Sequence, residues 1–210
     1  MELKKGLLLL SSGIDSVIAG YIVLSSNIEI VAVHFINYPY SSGTLEKAKM
    51  LVKKLEKITK KDIKLYSVPI GEHLKNFKNR ANEKLTCIFC KRLMFRIGEK
   101  IAKKEGCNFL LTGENLGQVA SQTLENMATI ESCIKIPVIR PLLCFDKEET
   151  IKIAKKIGTY DISIQKEIGC KAVPKYPRTK TTLHEIEREE KKFNIGKMIK
   201  ESLKRVILVL

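Results

Sequence analysis

Gly6-Leu7-Leu8-Leu9-Leu10 is an unbroken apolar run that stops at Ser11-Ser12-Gly13, and beyond it Val17, Ile18, Tyr21 and Ile22 recur at helical spacing. A short apolar run bounded by small turn residues and followed by a helical period predicts strand, loop, helix. Ile28 to Ile36, rich in β-branched residues and ending in the turn-rich Asn37 to Gly43, predicts a second strand. Thr44 is placed to cap the next helix, whose Leu45, Ala48, Leu51, Val52, Leu55 and Ile58 form one apolar stripe with lysines on the remaining faces. Ile63 to Pro69, Asn108 to Thr112 and Ile136 to Ile139 predict three further strands, the second of them after a helix that ends near Gly106. Asp146 and Glu149 make a capping-box start for a helix carrying Ile151, Ile153, Ala154 and Ile157. Leu183 to Phe193 reads as a charged helix, followed by a second helix and an apolar end, Val206 to Leu210.

Alternating strands and helices predict an α/β fold: a doubly wound, parallel, five-stranded sheet with C-terminal helices. Without a repeat or linker, residues 1–210 read as a single domain, with a helical extension over about 183–210. In such a sheet ligands bind beyond the carboxyl ends of the strands, so the chemistry should lie in the loops that follow them.

Charge narrows the partners. The 210 residues carry 38 Lys+Arg against 23 Asp+Glu, a formal +15 that favours a polyanion such as nucleic acid. Clusters such as Lys53-Lys54, Lys60-Lys61 and Lys103-Lys104 are equally readable as solvated helix faces. No apolar run approaches the ~20 residues of a membrane span. The start, Met1 to Lys5 and a five-residue apolar stretch, lacks the pattern of a signal peptide, so a cytoplasmic location is expected. In that reducing compartment six cysteines favour metal, redox or nucleophilic roles over disulfides.

Ser11-Ser12-Gly13-Ile14-Asp15-Ser16 lies between the first strand and first helix, where backbone N–H groups and the helix dipole can hold phosphate. It is not a Walker loop. Ser11 and Ser16 add hydroxyls, and Asp15 is placed either to hold Mg²⁺ or to cap the helix; a plain Ser/Gly turn fits the segment equally well. Cys87-Ile88-Phe89-Cys90 opens a helix followed by Lys91, Arg92 and Arg96, a setting expected to lower thiol pKa. With no second CxxC, a closed zinc site is the weaker metal reading. Cys170 sits in a basic loop, Ile168 to Thr179. Cys107, Cys133 and Cys144 read as small buried hydrophobes.

Thr112 to Asn126, Pro137 to Leu142, Asp146 to Glu149 and Ile157 to Tyr160, together with the Ser/Gly loop, resemble the PP-loop ATP pyrophosphatases, an adenine nucleotide alpha hydrolase-like fold, and within them the tRNA 4-thiouridine synthetase family. That family's usual loop is SGGxDS; here Ser12 stands at the first Gly, where a positive φ would be strained. The resemblance implies that Leu9, Leu10, Ser11, Gly13, Ser16, His34, Phe35, Lys91, Gly113 and Gln122 line an ATP site and that Asp15 and Cys170 are catalytic. His34 equally fits a satisfied core histidine, Gly113 is expected to keep a side chain from obstructing the nucleotide, and Arg140 is a further phosphate or substrate candidate. It also implies that Cys87, Cys90 and Cys170 are ligands of a [4Fe-4S] cluster, the alternatives being a redox dithiol or persulfide relay, or ordinary thiols.

The function so implied is ATP- and Mg²⁺-dependent sulfur transfer to a uridine of tRNA, through an adenylated carbonyl, with sulfide or a persulfide carrier as donor. Such enzymes usually carry a THUMP domain, which 210 residues do not accommodate: either a separate THUMP-domain protein presents tRNA, the basic surface of this chain suffices, or the substrate is a different molecule, and a homodimer is a further option. The rival readings are a PP-loop sulfurtransferase acting on a small metabolite and a non-catalytic RNA-binding or iron–sulfur carrier module.

Overall fold

A computed structural model describes residues 4–210; Met1, Glu2 and Leu3, the charged start read above, lie outside them. The chain runs β1 (Lys5–Leu9), α1 (Ile14–Ser25), β2 (Glu29–Ile36), α2 (Thr44–Thr59), β3 (Leu65–Pro69) and α3 (Gly71–Arg80). It continues through α4 (Thr86–Glu105), β4 (Phe109–Leu111), α5 (Leu124–Glu131), β5 (Val138–Ile139), α6 (Lys147–Lys156) and α7 (Tyr160–Ser163). It closes with α8 (Leu183–Glu190), α9 (Ile195–Lys204) and β6 (Ile207–Leu208). The strand order is β5-β4-β1-β2-β3-β6.

Five strands are parallel, as the alternation predicts, but the sheet has six: the apolar end pairs antiparallel on β3, Ser67 opposite Ile207. The extension over 183–210 is therefore helical only as far as Lys204. A two-residue strand is too short to show a period, and its apolar residues cover an edge that would otherwise present unpaired backbone groups.

The apolar run in β1 is continuous because both faces of the sheet are covered. Leu7 and Leu9 pack with Phe77, Phe89, Leu93 and Ile97 on the α3–α4 face, while Leu8 and Leu10 pack with Val17, Ile18, Leu51 and Leu55 on the α1–α2 face. Ala48, Leu51, Val52 and Leu55 of the predicted stripe are fully buried. The α2 cap differs from expectation: Gly43, at φ 77°, is the N-cap, and Thr44 turns its hydroxyl to His34 instead. The Asp146–Glu149 capping box on α6 forms as predicted.

Charge ties α8 to α4 and α5. Arg92 of α4, almost wholly buried, donates from Nε and Nη2 to the two carboxylate oxygens of Glu190 at 2.9 Å each. Arg96, one turn on, donates to the same oxygens at 2.7 and 2.8 Å. Nη1 of Arg92 reaches the Thr129 carbonyl and Ser132 Oγ, so one guanidinium joins α4, α5 and α8.

Candidate active site at the carboxyl ends of β1 and β4

The strand order reverses between β1 and β4, and the loops leaving these two strands meet at the crevice this creates. After β1, Ser11 N donates to Ser16 Oγ at 2.9 Å, the two serine hydroxyls lie 2.9 Å apart, and Gly13 N donates to Ser11 Oγ at 3.2 Å. The loop thus closes on its own hydroxyls at the N-terminus of α1. Ser12 is not strained: among the described residues the only non-glycine positive φ values are at Asn27 and Lys60. Gly13 is itself extended, at φ −87°. The expected penalty for Ser12 is absent because this turn uses no left-handed residue there.

After β4, Gly113 faces the loop from across the crevice. A Cβ at Gly113 would stand 2.6 Å from Ser16 Cα and nearer still to Ser16 N and the Asp15 carbonyl carbon. The side chain excluded here would strike the backbone of the Ser11–Ser16 loop.

Charges converge on the same crevice. Lys147 of α6 donates to both oxygens of Asp15 at 2.9 and 3.2 Å. Lys91 pairs with Glu114 at 2.7 Å, and Arg140 Nε reaches the other Glu114 oxygen at 3.0 Å. Burial by itself would raise the Glu114 pKa, but Lys91 and Arg140 outweigh it and hold the carboxyl below the ordinary carboxylate value. Arg140, a phosphate candidate from sequence, also binds Glu131 at 2.7 Å and so serves mainly to fix Glu114, although its buried Nη2 has no partner. Gln122 Oε1 is likewise buried without a partner beside Asp15, Lys91 and Gly113.

His34 is the satisfied histidine: Nδ1 lies 2.9 Å from the Leu10 carbonyl and Nε2 2.9 Å from Thr44 Oγ1. The carbonyl can only accept, so Nδ1 carries the proton and Nε2 accepts from the threonine. Burial lowers its pKa, in keeping with a neutral ring. His34 remains a wall residue, with Leu9, Leu10 and Phe35, of a cavity of about 190 Å³.

Two further cavities adjoin this one. Ser11, Asp15, Ser16, Lys91, Gly113 and Gln122 border about 200 Å³ of space. Cys87, Cys90 and Cys170 border a larger, mostly apolar cavity of about 470 Å³ with Val119, Val173 and Arg178. Met94, one turn beyond Cys90 on α4, lines all three cavities, and Cys90 Sγ lies 3.7 Å from its sulfur.

The three cysteines therefore do share a site, although α4 and the segment after α7 are far apart in sequence. Their chemistry differs from expectation. Burial raises the pKa of Cys87, and the neighbouring Cys170 adds to it, with Lys91 opposing. Burial likewise drives the Cys90 thiol well above its usual value. Desolvation here outweighs the helix terminus and the cations that the sequence offers. Among the described residues no three His, Cys, Asp or Glu side chains converge closely enough to hold one metal ion. Cys107 is buried as expected, with its pKa raised to about 11 by burial, and Cys133 packs against the core, whereas Cys144 is exposed.

Several site residues escaped the sequence reading. Lys147 lies in the Asp146 to Glu149 segment that carries the resemblance, without a role of its own. Glu114 lies in the Thr112 to Asn126 segment without a role of its own. Met94, Lys47 and Glu167 gave no local signal, because only the fold brings them to the crevice.

Comparison with known proteins agrees with this arrangement. The family model described as "Thiamine biosynthesis protein (ThiI)" matches residues 2–195. The chain is 39% identical over 202 residues to a probable tRNA sulfurtransferase of Methanosarcina mazei, covering 95% of this chain and 50% of the relative. It is 41% identical over 205 residues to one of Streptococcus uberis, covering 96% and 50%. A crystal structure of a 4-thiouridine synthetase–RNA complex with bound ATP superposes with a TM-score of 0.93 at 38% identity, over 99% of this chain and 55% of that one. The chain spans about half the length of the curated relatives it matches.

Proposed function

The chain belongs to the thiamine biosynthesis protein (ThiI) family, and from that premise we propose that it uses ATP to replace a uridine carbonyl oxygen of tRNA with sulfur, in the manner of a 4-thiouridine synthetase. The observation that supports this reading is the meeting of the Ser11–Ser16 loop, Gly113 and the cysteine cavity around Met94, a layout in which an activated carbon would lie close to a sulfur. ATP would lie with its base against Leu10, His34 and Phe35 and its phosphates over Ser11–Ser16. The uridine oxygen attacks the α-phosphorus and pyrophosphate leaves; sulfur then adds to the activated carbon and AMP departs with the original oxygen. Loop N–H groups and Lys91 stabilise the charge that develops on pyrophosphate. Lys91 is held ready by Glu114, and the unpartnered Gln122 amide suits a nucleotide contact.

Mg²⁺ fits one place: Asp15, whose carboxylate would exchange the Lys147 ammonium for an ion shared with phosphate. An iron–sulfur cluster also fits, because a cubane takes each thiolate on a different iron and needs cysteines around a cavity rather than at one point. Cys87, Cys90 and Cys170 would hold it, and an open iron would bind sulfide. The protein supplies the apolar wall that keeps water from the sulfur. Cys170 accepts from Asn37 Nδ2 at 3.9 Å, which orients its sulfur in the cavity.

Anaerobic incubation with ATP, Mg²⁺, sulfide and unmodified tRNA, followed by nucleoside analysis, tests the reading. Thiolated uridine with AMP and pyrophosphate is expected; ADP as product would refute the loop assignment. In the same assay Cys87→Ser, Cys90→Ser and Cys170→Ser are each expected to lose sulfur transfer. Cys107→Ser should keep it, because Cys107 borders none of the three cavities. Retained transfer in all three site variants would remove sulfur chemistry from the cavity.

tRNA binding should fall steeply with salt as counterions released by the basic chain lose their entropic advantage. Beside Pro177 and Arg178 of the cysteine cavity, Tyr176 is 66% exposed, with Lys175 Nζ 5.3 Å from its ring centroid, a pairing suited to a stacked base beside phosphate. Binding that is absent or indifferent to salt would point instead to a small sulfur acceptor.

A further inference from the structure

We propose that Ser12, Glu167 and Lys47 form a latch that fixes the segment carrying Cys170 to the phosphate loop, making Ser12 and Glu167 positioning residues for sulfur delivery. The inference rests on the reading that Cys170 acts in sulfur transfer. Cys170 lies between α7 and α8, where no regular element holds the chain. What fastens this stretch is a short series of contacts. Ser12 Oγ donates to Glu167 Oε1 at 2.8 Å, across 155 residues of sequence. Lys47 Nζ pairs with Glu167 Oε2 at 3.2 Å and donates to the Gln165 carbonyl at 3.0 Å. Two backbone bonds add to the attachment, Ser42 N to the Ile168 carbonyl at 3.4 Å and Lys171 N to the Tyr40 carbonyl at 2.8 Å, beside the Asn37–Cys170 contact.

Lys47 is the buried lysine of a helix whose other lysines are exposed or half-buried, and it is 4% exposed. A buried ammonium is costly without a partner, so Glu167 and the Gln165 carbonyl are needed where they are. Ser12, also buried, belongs to the phosphate loop and lines the smaller nucleotide-side cavity together with Glu167, Gly169 and Cys170. One hydroxyl therefore joins the wall that receives the nucleotide to the segment that carries the sulfur. A glycine at position 12 would leave the loop turn intact, since the backbone there is not left-handed, but would leave Glu167 with Lys47 alone.

The test combines backbone hydrogen exchange over residues 165–171 with steady-state tRNA thiolation, using the full chain as Ser12→Gly, Ser12→Thr, Glu167→Gln and Glu167→Ala variants. Ser12→Gly and Glu167→Ala are expected to speed exchange in 165–171 and to lower kcat about tenfold, the loss of one charge-assisted hydrogen bond at 1.4 kcal/mol per decade. In Glu167→Ala, KM for ATP should move by less than about threefold, since that carboxylate lies outside the Ser11–Ser16 loop and acts on the sulfur side. Ser12→Thr should restore both properties, and Glu167→Gln, which still accepts from Ser12, should lie between. The double variant Ser12→Gly/Glu167→Ala should be no worse than Glu167→Ala alone. Unchanged exchange in Ser12→Gly, or in Glu167→Ala a kcat loss matched by an equal loss in ATP affinity, would overturn the latch. If the parent protein thiolates no tRNA, the functional reading fails, while exchange in 165–171 still decides the latch.

Discussion

Gly113→Ala is expected to abolish ATP-dependent turnover while the protein still folds. The added methyl would meet backbone, not a side chain: Ser16 Cα at 2.6 Å, with Ser16 N and the Asp15 carbonyl carbon nearer still. Backbone at a helix start cannot rotate aside, so β4 and α1 must separate or the loop must turn. Overpacking of this kind costs about 1–3 kcal/mol of stability, a loss that a domain with two buried clusters survives. For catalysis a loop displaced by about 1 Å is worth on the order of a hundredfold in rate. Circular dichroism and calorimetry should show a folded protein with a modestly lowered Tm, and ATP-dependent pyrophosphate release should fall by at least that factor. Wild-type turnover in Gly113→Ala would show that the loop is not held where phosphate binds.

Glu190→Gln should be among the most destabilising single changes in the molecule. The carboxylate serves two guanidiniums at once, and that of Arg92 is almost fully buried. Burial by itself would raise the Glu190 pKa, yet hydrogen bonds from Arg96 and Arg92 reverse the effect and bring it from 4.5 down to about 2. A carboxyl whose pKa is lowered on folding stabilises the native state above its unfolded pKa and loses that stabilisation as pH falls through the folded one. The contribution, about 3 kcal/mol by linkage, should thus be complete above pH 4.5 and vanish progressively toward pH 2. Glu190→Gln leaves two charges with weaker acceptors, at a cost of about 3–5 kcal/mol for a broken buried pair. Denaturant melts from pH 7 to pH 2 are the measurement. The parent should lose stability on acidification more steeply than the variant, and parallel curves would show that Glu190 is not what carries the acid sensitivity.

Both predictions draw on contacts between distant parts of the chain, and legibility in the sequence divides along that line. Features set by neighbours in sequence were readable. The apolar run of β1, the stripe on α2, the Asp146–Glu149 box and the glycine at the end of α4 each follow from a period or cap formed within one element. The position of the Ser11–Ser16 loop was readable too, because a doubly wound sheet puts such loops at its carboxyl edge whatever the side chains. The resemblance added the identity of the cysteine set, and these residues do border one cavity.

What the sequence could not determine was the environment of a charged or polar side chain, since that depends on what packs against it. The Cys87 and Cys90 thiols follow a helix start rich in cations, yet desolvation controls them, and desolvation is a property of the folded surroundings. Lys47 sits in a helix whose other lysines are exposed or half-buried and is itself buried because Glu167 and Gln165 arrive from the far side of the fold. Ser12 looks like a defect in a glycine loop and is instead a donor to Glu167. A two-residue strand such as β6 carries no period of its own and exists only because β3 offers an edge. Local pattern settled the elements and the place of the candidate loops; the pairing of their charges, the accessibility of the sulfurs and the fastening of the Cys170 segment were decided by tertiary packing, which alone determines the water and the partners each group can reach.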